Sequence, residues 1–125
     1  MNLTKSNLEK KNNLLNDGER VEDLECNNLK IIQNKNLYCF TSDSVILANF
    51  LKIKPKETAV EIGGGCGVVS LLASAKNKFK EIKIFEIQKE MQVLCQKNIN
   101  LNNLQEKLKL IPDDVLNFKV EKETV

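Results

Sequence analysis

The stretch TAVEIGGGCG, residues 58–67, decides the fold. An apolar strand runs into a turn with glycine at alternate positions (Gly63, Gly65, Gly67), and the apolar run VVSLLASA follows. Strand, glycine turn and helix in that order open a βαβ unit, which holds a nucleotide-like ligand at the carboxyl end of its first strand. Glycine is needed where a ligand lies against the backbone and leaves no room for a Cβ, or where the turn requires a positive φ. About 20 residues on, such a unit places an acidic side chain at the end of its second strand to accept hydrogen bonds from ribose hydroxyls. Here Ile82, Ile84 and Phe85 lead into Glu86. From Thr58 to Glu86 the chain uses 29 residues, close to the ~30 of such a unit.

Two details set this turn apart from a dinucleotide site. The third glycine of G-x-G-x-x-G would fall on Val68, and no G-x-x-x-x-G-K-[ST] phosphate loop is present. Val68, with Glu61, disfavours a nicotinamide-dependent oxidoreductase. Glu61, at the end of the first strand, would repel a pyrophosphate but suits a cation. The plain alternative is a glycine-rich turn with no ligand; strand, turn, helix and Glu86 together speak for a ligand. The pattern E-x-G-x-G-x-G resembles motif I of class I S-adenosylmethionine-dependent methyltransferases, whose ligand is a sulfonium cation without phosphate.

Composition bounds the rest. At 125 residues the chain is one domain at most, short for a doubly wound enzyme. Its 42% hydrophobic and 29% charged residues are those of a soluble globular type. No apolar run approaches the ~18 residues of a membrane helix, and residues 1–16 are too polar for a signal peptide, so a cytoplasmic location is expected. Cys26, Cys39, Cys66 and Cys95 lie far apart, and histidine is absent. That argues against a zinc site, a disulfide scaffold and histidine-dependent catalysis; Cys66 is either a reactive thiol or simply a small turn residue. The net charge of +2 comes with dispersed lysines, which permits a nucleic-acid partner without indicating one. One arginine against eighteen lysines, with abundant asparagine, reads as a compositional bias of the source genome.

Along the chain, residues 1–16 have poor helical periodicity and are expected to form a loose helix or a frayed extension. Asp17-Gly18 signals a turn before an acidic stretch at residues 19–25. LKIIQ (29–33) and LYCF (37–40) read as a small hairpin. Thr41-Ser42-Asp43 offers capping side chains to a helix over SVILANFL, and Pro55 lies beyond it. Asp43 is open to two readings, helix cap or ligand contact. Ile87, Met91, Leu94, Cys95 and Ile99 form one stripe of an amphipathic helix after Glu86. Residues 108–111 are a third strand, ending at Pro112-Asp113-Asp114. A carboxylate there can accept from the exocyclic amine of an adenine ring, or it is only an Asp-rich surface turn.

GERVEDL, LKIIQ, FTSDSVILANF, EIGGGCG and FEIQ, taken together, resemble the tRNA1(Val) adenine-N6-methyltransferase family over about three-quarters of the chain. The resemblance implies an α/β, Rossmann-like class I methyltransferase fold, here incomplete: three parallel strands with their helices, preceded by a small hairpin and helix. It implies S-adenosylmethionine as cofactor and tRNA as partner, with neither metal nor membrane. An N-terminal extension (1–28), a hairpin and helix covering the cofactor (29–57) and a partial cofactor-binding domain (58–125) are the expected divisions. Carried over by position, Glu61 with Gly63, Gly65 and Gly67 would line the methionyl end. Glu86 would hold the ribose hydroxyls, and Ile87 would pack on the adenine. Asp114, with Val115 after it, would read the adenine edge, Asp113 being the alternative. Asp43 would close over the cofactor from the N-terminal side. Glu61 stands where Asp is more frequent, which changes the reach of the carboxylate and not its charge.

The same family places Asn-Pro-Pro-aromatic after a fourth strand, to bind both N–H groups of the adenine amine, expose its lone pair and stack on the base. The two prolines here are Pro55 and Pro112, and no such motif occurs, so no catalytic residue is assigned. The chain reads as the cofactor-binding portion of a truncated, split or partial enzyme; the alternative is a non-catalytic cofactor- or RNA-binding module. Without a fourth strand, residues 58–62 would be an open apolar edge, from which self-association or marginal stability is expected.

Overall fold

A computed structural model describes residues 15–37 and 40–117. The expectation for residues 1–16 therefore falls almost entirely outside the described residues, as do Tyr38 and Cys39 of LYCF. Two sheets are present among the described residues. Strands β1 (Glu19–Asp23) and β2 (Lys30–Asn34) form an antiparallel pair, with Val21 opposite Ile32. The α1 helix (Ser42–Phe50) follows, then β3 (Thr58–Ile62), α2 (Val68–Lys76), β4 (Glu81–Phe85), α3 (Lys89–Leu101) and β5 (Leu108–Ile111). The last three strands are parallel in the order β3-β4-β5, with Ile62 beside Phe85 and Phe85 beside Ile111. This is the α/β architecture expected of an incomplete Rossmann-like unit, and β3 lies at its edge.

A hairpin precedes the parallel sheet, but its arms differ from expectation. LKIIQ supplies one arm, and the other is the acidic ERVED upstream. Alternation of apolar residues could not show this, because Val21 is the single apolar residue of β1. What makes ERVED a strand is the set of partners for its charges. Lys97 reaches Glu19 at 2.8 Å, Gln33 donates to Glu22 at 2.7 Å, and Lys30 pairs with Asp23. The connection turns through Asn27 and Asn28, both in the left-handed region that asparagine tolerates.

The helix expected over residues 44–51 runs over 42–50 and takes in Ser42 and Asp43, two of the expected capping residues; no side chain caps it, and the Ser44 N–H donates to the Thr41 carbonyl instead. In α2, Val68 to Ala73 are all buried, as suits a helix laid on a parallel sheet. The α3 stripe consists of Met91, Leu94, Cys95 and Ile99, with Asn98 among them. Ile87 lies ahead of that helix and is 64% exposed, so it does not belong to the stripe. One core joins these helices to Ile31 and Ile32 of the hairpin and to Ile82, Ile84 and Leu108 of the sheet.

Candidate functional site

The glycine turn leaves β3 at the carboxyl end of the sheet and leads into α2. Gly63, Gly65 and Gly67 all have positive φ (+70°, +57° and +90°), a conformation costly for any residue with a Cβ. A Cβ on Gly63 would meet nothing within 4 Å, so the space beside it is open to a ligand. The glycine that packing forbids replacing is Gly64, which the alternate-glycine pattern passes over. It is buried, and a Cβ there would lie 2.1 Å from the Ile84 methyl. Gly64→Ala is expected to cost about 2–3 kcal/mol through overpacking, read as a lower urea midpoint at unchanged m-value. Wild-type stability in that variant would show that β4 yields at no cost.

Glu86 follows β4 and turns its carboxylate back under the glycine turn. One oxygen accepts the Gly65 N–H at 2.8 Å and the other accepts the Gln88 N–H at 2.9 Å. Each carboxylate oxygen can accept twice, so both keep capacity for a ligand hydroxyl. The residue is buried to 7% exposure, and these two donors satisfy its side-chain oxygens there. A cleft of about 180 Å³ opens beside it, walled by Gly63, Glu86, Ile87, Asp113, Asp114 and Val115 among others. Five expected site residues and the alternative Asp113 thus meet in one place. Asp113 and Asp114 also shape their own turn, Asp113 accepting the Asp114 N–H at 2.7 Å and Asp114 the Leu116 N–H at 3.0 Å.

Glu61 faces the other side of the turn, toward α2. Ser70 Oγ donates to its Oε1 at 2.5 Å. Burial pushes the Glu61 carboxyl up to about 7; the Ser70 bond pulls it down, and the nearby Glu86 charge adds to the rise. Glu61, Gly63 and Ser70 line a groove of about 480 Å³ between β3 and α1, which shares Ile62 and Gly63 with the smaller cleft. Asp43 stands exposed in the first turn of α1, and neither cavity is lined by it; its neighbour Ser44 lines the groove. Cys66 is buried within the turn.

Asn98 is the residue that sequence reasoning missed. It is fully buried on α3, accepts the Ile32 N–H at 2.6 Å, and donates to the carbonyls of Ile32 (3.0 Å) and Cys66 (2.8 Å). It therefore ties the hairpin to the glycine turn. One signal was available, a lone polar residue inside an apolar helical stripe, and the abundance of asparagine masked it.

The cleft carries hydroxyl and amine acceptors, and among the described residues on its wall there is no lysine or arginine. That acceptor set fits a nucleoside bearing positive charge and offers no cationic side chain to a phosphate. Among the described residues no group of three or more His, Cys, Asp or Glu is placed to bind a metal, and no helix is long and apolar enough to cross a membrane.

Residues 28–124 match the family model of the methyltransferase small domain. The tRNA1(Val) (adenine(37)-N6)-methyltransferase of Shewanella halifaxensis is 28% identical over 75 residues, covering 60% of this chain and 30% of that protein. The chain thus spans less than a third of that relative's length. Among solved structures, P. horikoshii TYW2 in complex with MeSAdo has a TM-score of 0.69 at 21% identity, over 86% of this chain and 40% of that one. Methanocaldococcus jannaschii Trm5 in complex with adenosine gives 0.67 at 20% identity, over 86% and 33%. At these identities the likeness is one of fold.

Proposed function

Because the chain belongs to the methyltransferase small domain family, we propose that it is the S-adenosylmethionine-binding portion of a tRNA adenine-N6 methyltransferase. The observation that carries this reading is the Glu86 carboxylate, buried, bonded to the Gly65 N–H and open on the cleft that Gly63 leaves clear. In it, Glu86 accepts both ribose hydroxyls and Ile87 covers one face of the adenine. Asp114 or Asp113 accepts from the adenine amine, with Val115 beside it. The turn of Gly63, Gly65 and Gly67 admits the methionyl end, and Glu61 supplies negative charge on that side. Asp43 and the segment 29–57 close over the cofactor. The cofactor supplies an electrophilic methyl group; these residues bind it, orient it and exclude water. Two solved structures of like fold hold adenosine or MeSAdo, and the S. halifaxensis relative carries adenine-N6 specificity in its name. Pairing of the open β3 edge with a second copy or with further polypeptide belongs to the same reading.

Calorimetry tests it. S-adenosylmethionine and S-adenosylhomocysteine are expected to bind in the micromolar range. Glu86→Ala is expected to weaken both about 30-fold, the loss of charge-assisted hydrogen bonds totalling ~2 kcal/mol. A folded sample that gives no heat with either ligand would overturn the cofactor assignment. The alternative is a non-catalytic cofactor- or RNA-binding module. Transfer of labelled methyl to unmodified tRNA by the chain alone would eliminate it.

A further inference from the structure

Seven of the eighteen lysines are dispersed in sequence but not in space. Lys52, Lys54 and Lys56 lie just before β3, Lys76, Lys78 and Lys80 before β4, and Lys107 immediately before β5. In a parallel sheet every such connection returns to the same end, so the fold collects all seven at the amino ends of the strands. All seven are exposed. Hydrogen bonds fasten their loops into one surface. Asn77 accepts the Ile53 N–H at 2.9 Å, the Lys80 N–H donates to the Glu57 carbonyl at 2.9 Å, and the Lys107 ammonium donates to the Phe79 carbonyl at 2.8 Å. A hollow of about 410 Å³ between the loops is lined by Pro55, Asn77, Lys78, Phe79 and Lys107 among others.

The acids on this end are Glu57, Glu81 and Glu106, with Glu25 on the hairpin loop whose Asn27 donates to the Ala75 carbonyl. Glu57 accepts the Lys54 N–H, and Glu81 lies 3.9 Å from Lys83. Lys52, Lys54, Lys56, Lys76, Lys78 and Lys80 have no ion pair among the described residues. The excess here exceeds the whole chain's +2, so the remainder is net negative. At the opposite end stand Asp43, Glu61, Glu86, Glu90, Asp113 and Asp114. Complementing the carboxyl-terminal dipole of α2 accounts for Lys76 in its last turn. It does not account for three loops that each carry lysine.

We propose that this amino-end face is a phosphate-contacting surface for a folded RNA, roughly 20 Å from the cofactor cleft, a five-residue strand and its flanking loops apart. The choice of RNA over another polyanion rests on the functional reading above. Lysines at alternate positions (52, 54, 56 and 76, 78, 80) present separate point charges, and Phe79, the aromatic residue nearby, is buried. Such a face grips backbone without stacking on bases or reading sequence. It also resolves an electrostatic difficulty. The acidic mouth repels RNA phosphates, so the attraction that holds the substrate must act elsewhere on the molecule.

The test is fluorescence anisotropy of labelled, unmodified tRNA with the full chain, between 50 and 300 mM KCl. The double variant Lys54→Gln/Lys78→Gln is compared with the charge-matched Lys35→Gln/Lys89→Gln, lysines that likewise have no ion pair among the described residues. The first is expected to bind at least about tenfold more weakly at 100 mM salt, with the log–log salt slope reduced by about 2; the second stays near wild type. Equal losses in both, no loss in the first, or no tRNA binding by the unmodified chain would each overturn the proposal. So would unchanged tRNA binding alongside lost binding to phosphatidylserine vesicles, which would make the face a membrane contact. Calorimetry with S-adenosylmethionine on the same variants keeps the two readings apart. Cofactor binding is expected unchanged, and a cofactor failure with the lysine effect intact would strike the cleft assignment alone.

Discussion

Asn98→Ala is expected to lower the melting temperature of this chain by about 20 °C. The side chain is fully buried and makes three hydrogen bonds to main-chain groups, the Ile32 N–H, the Ile32 carbonyl and the Cys66 carbonyl. Truncation leaves these buried groups without that partner, at about 1–3 kcal/mol each, and adds a cavity. Partial relaxation brings the total to ~4 kcal/mol, and each kcal/mol is worth about 4–8 °C in a domain of this size. The geometry explains why an amide is used. One helical turn further on, Asn102 accepts the Lys30 N–H at 2.8 Å and donates to the Lys30 carbonyl at 2.7 Å. Four residues of α-helix rise 6.0 Å and two residues of strand about 6.7 Å, so amides at i and i+4 meet alternate residues along the open edge of β2. Asn98 and Asn102 thus stand in for a third strand. Asn102 is half-buried, and Asn102→Ala serves as the mild comparison, at about 1 kcal/mol. A scanning-calorimetry transition for Asn98→Ala within about 5 °C of wild type would show that water replaces the amide and that the hairpin does not depend on it.

How much of this was legible follows from the range over which each signal acts. The βαβ unit was, since a strand, a glycine turn and an apolar helix are contiguous and each announces itself locally. Glu86 was also legible, because the length of the unit fixes where its acidic residue falls, and it lies against the turn as the spacing required. Gly64 was not, since its constraint comes from the Ile84 methyl on the neighbouring strand. Strand β1 was not, because its stabilising partners lie as far away as Lys97, and a strand held by charge pairs carries no alternating pattern. Asn98 and Asn102 were hidden for a related reason. In a chain rich in asparagine the type itself carries no information; the place of Asn98 in an apolar stripe marks it as buried, but only the register of α3 against β2 shows what the two amides bind. The basic face, likewise, is a property of topology: lysines spread through the sequence converge only once parallel strands return them to one end.

Glu61→Gln is expected to stabilise the chain by up to about 3 kcal/mol at pH 8 and to change little at pH 5. The Glu61 carboxyl is raised from 4.5 to about 7, first by burial, with the Glu86 charge adding to it and the Ser70 hydroxyl opposing it. A folded state that holds a proton more tightly than the unfolded one is favoured at low pH. Its contribution is fully present below 4.5 and is lost as pH rises through about 7. At 1.36 kcal/mol per unit, the difference between the two plateaus is about 3 kcal/mol. Glutamine keeps an oxygen for the Ser70 hydroxyl and removes the charge, so urea midpoints at pH 5 and pH 8 isolate the effect. Other shifted groups act outside this window: Lys30 lowers Asp23 from 3.8, and burial pushes Cys95 up to about 12. Parallel pH profiles for wild type and variant would show that Glu61 is solvated and unstrained. A carboxylate that costs stability at neutral pH is one that folding alone would not select, whereas a site built to receive a cation gives it a use. In the proposed complex the sulfonium favours the ionised form and drives the proton off. Affinity for S-adenosylmethionine then rises between pH 6 and pH 8, while S-adenosylhomocysteine, whose sulfur is neutral, follows less steeply, and Glu61→Gln flattens both.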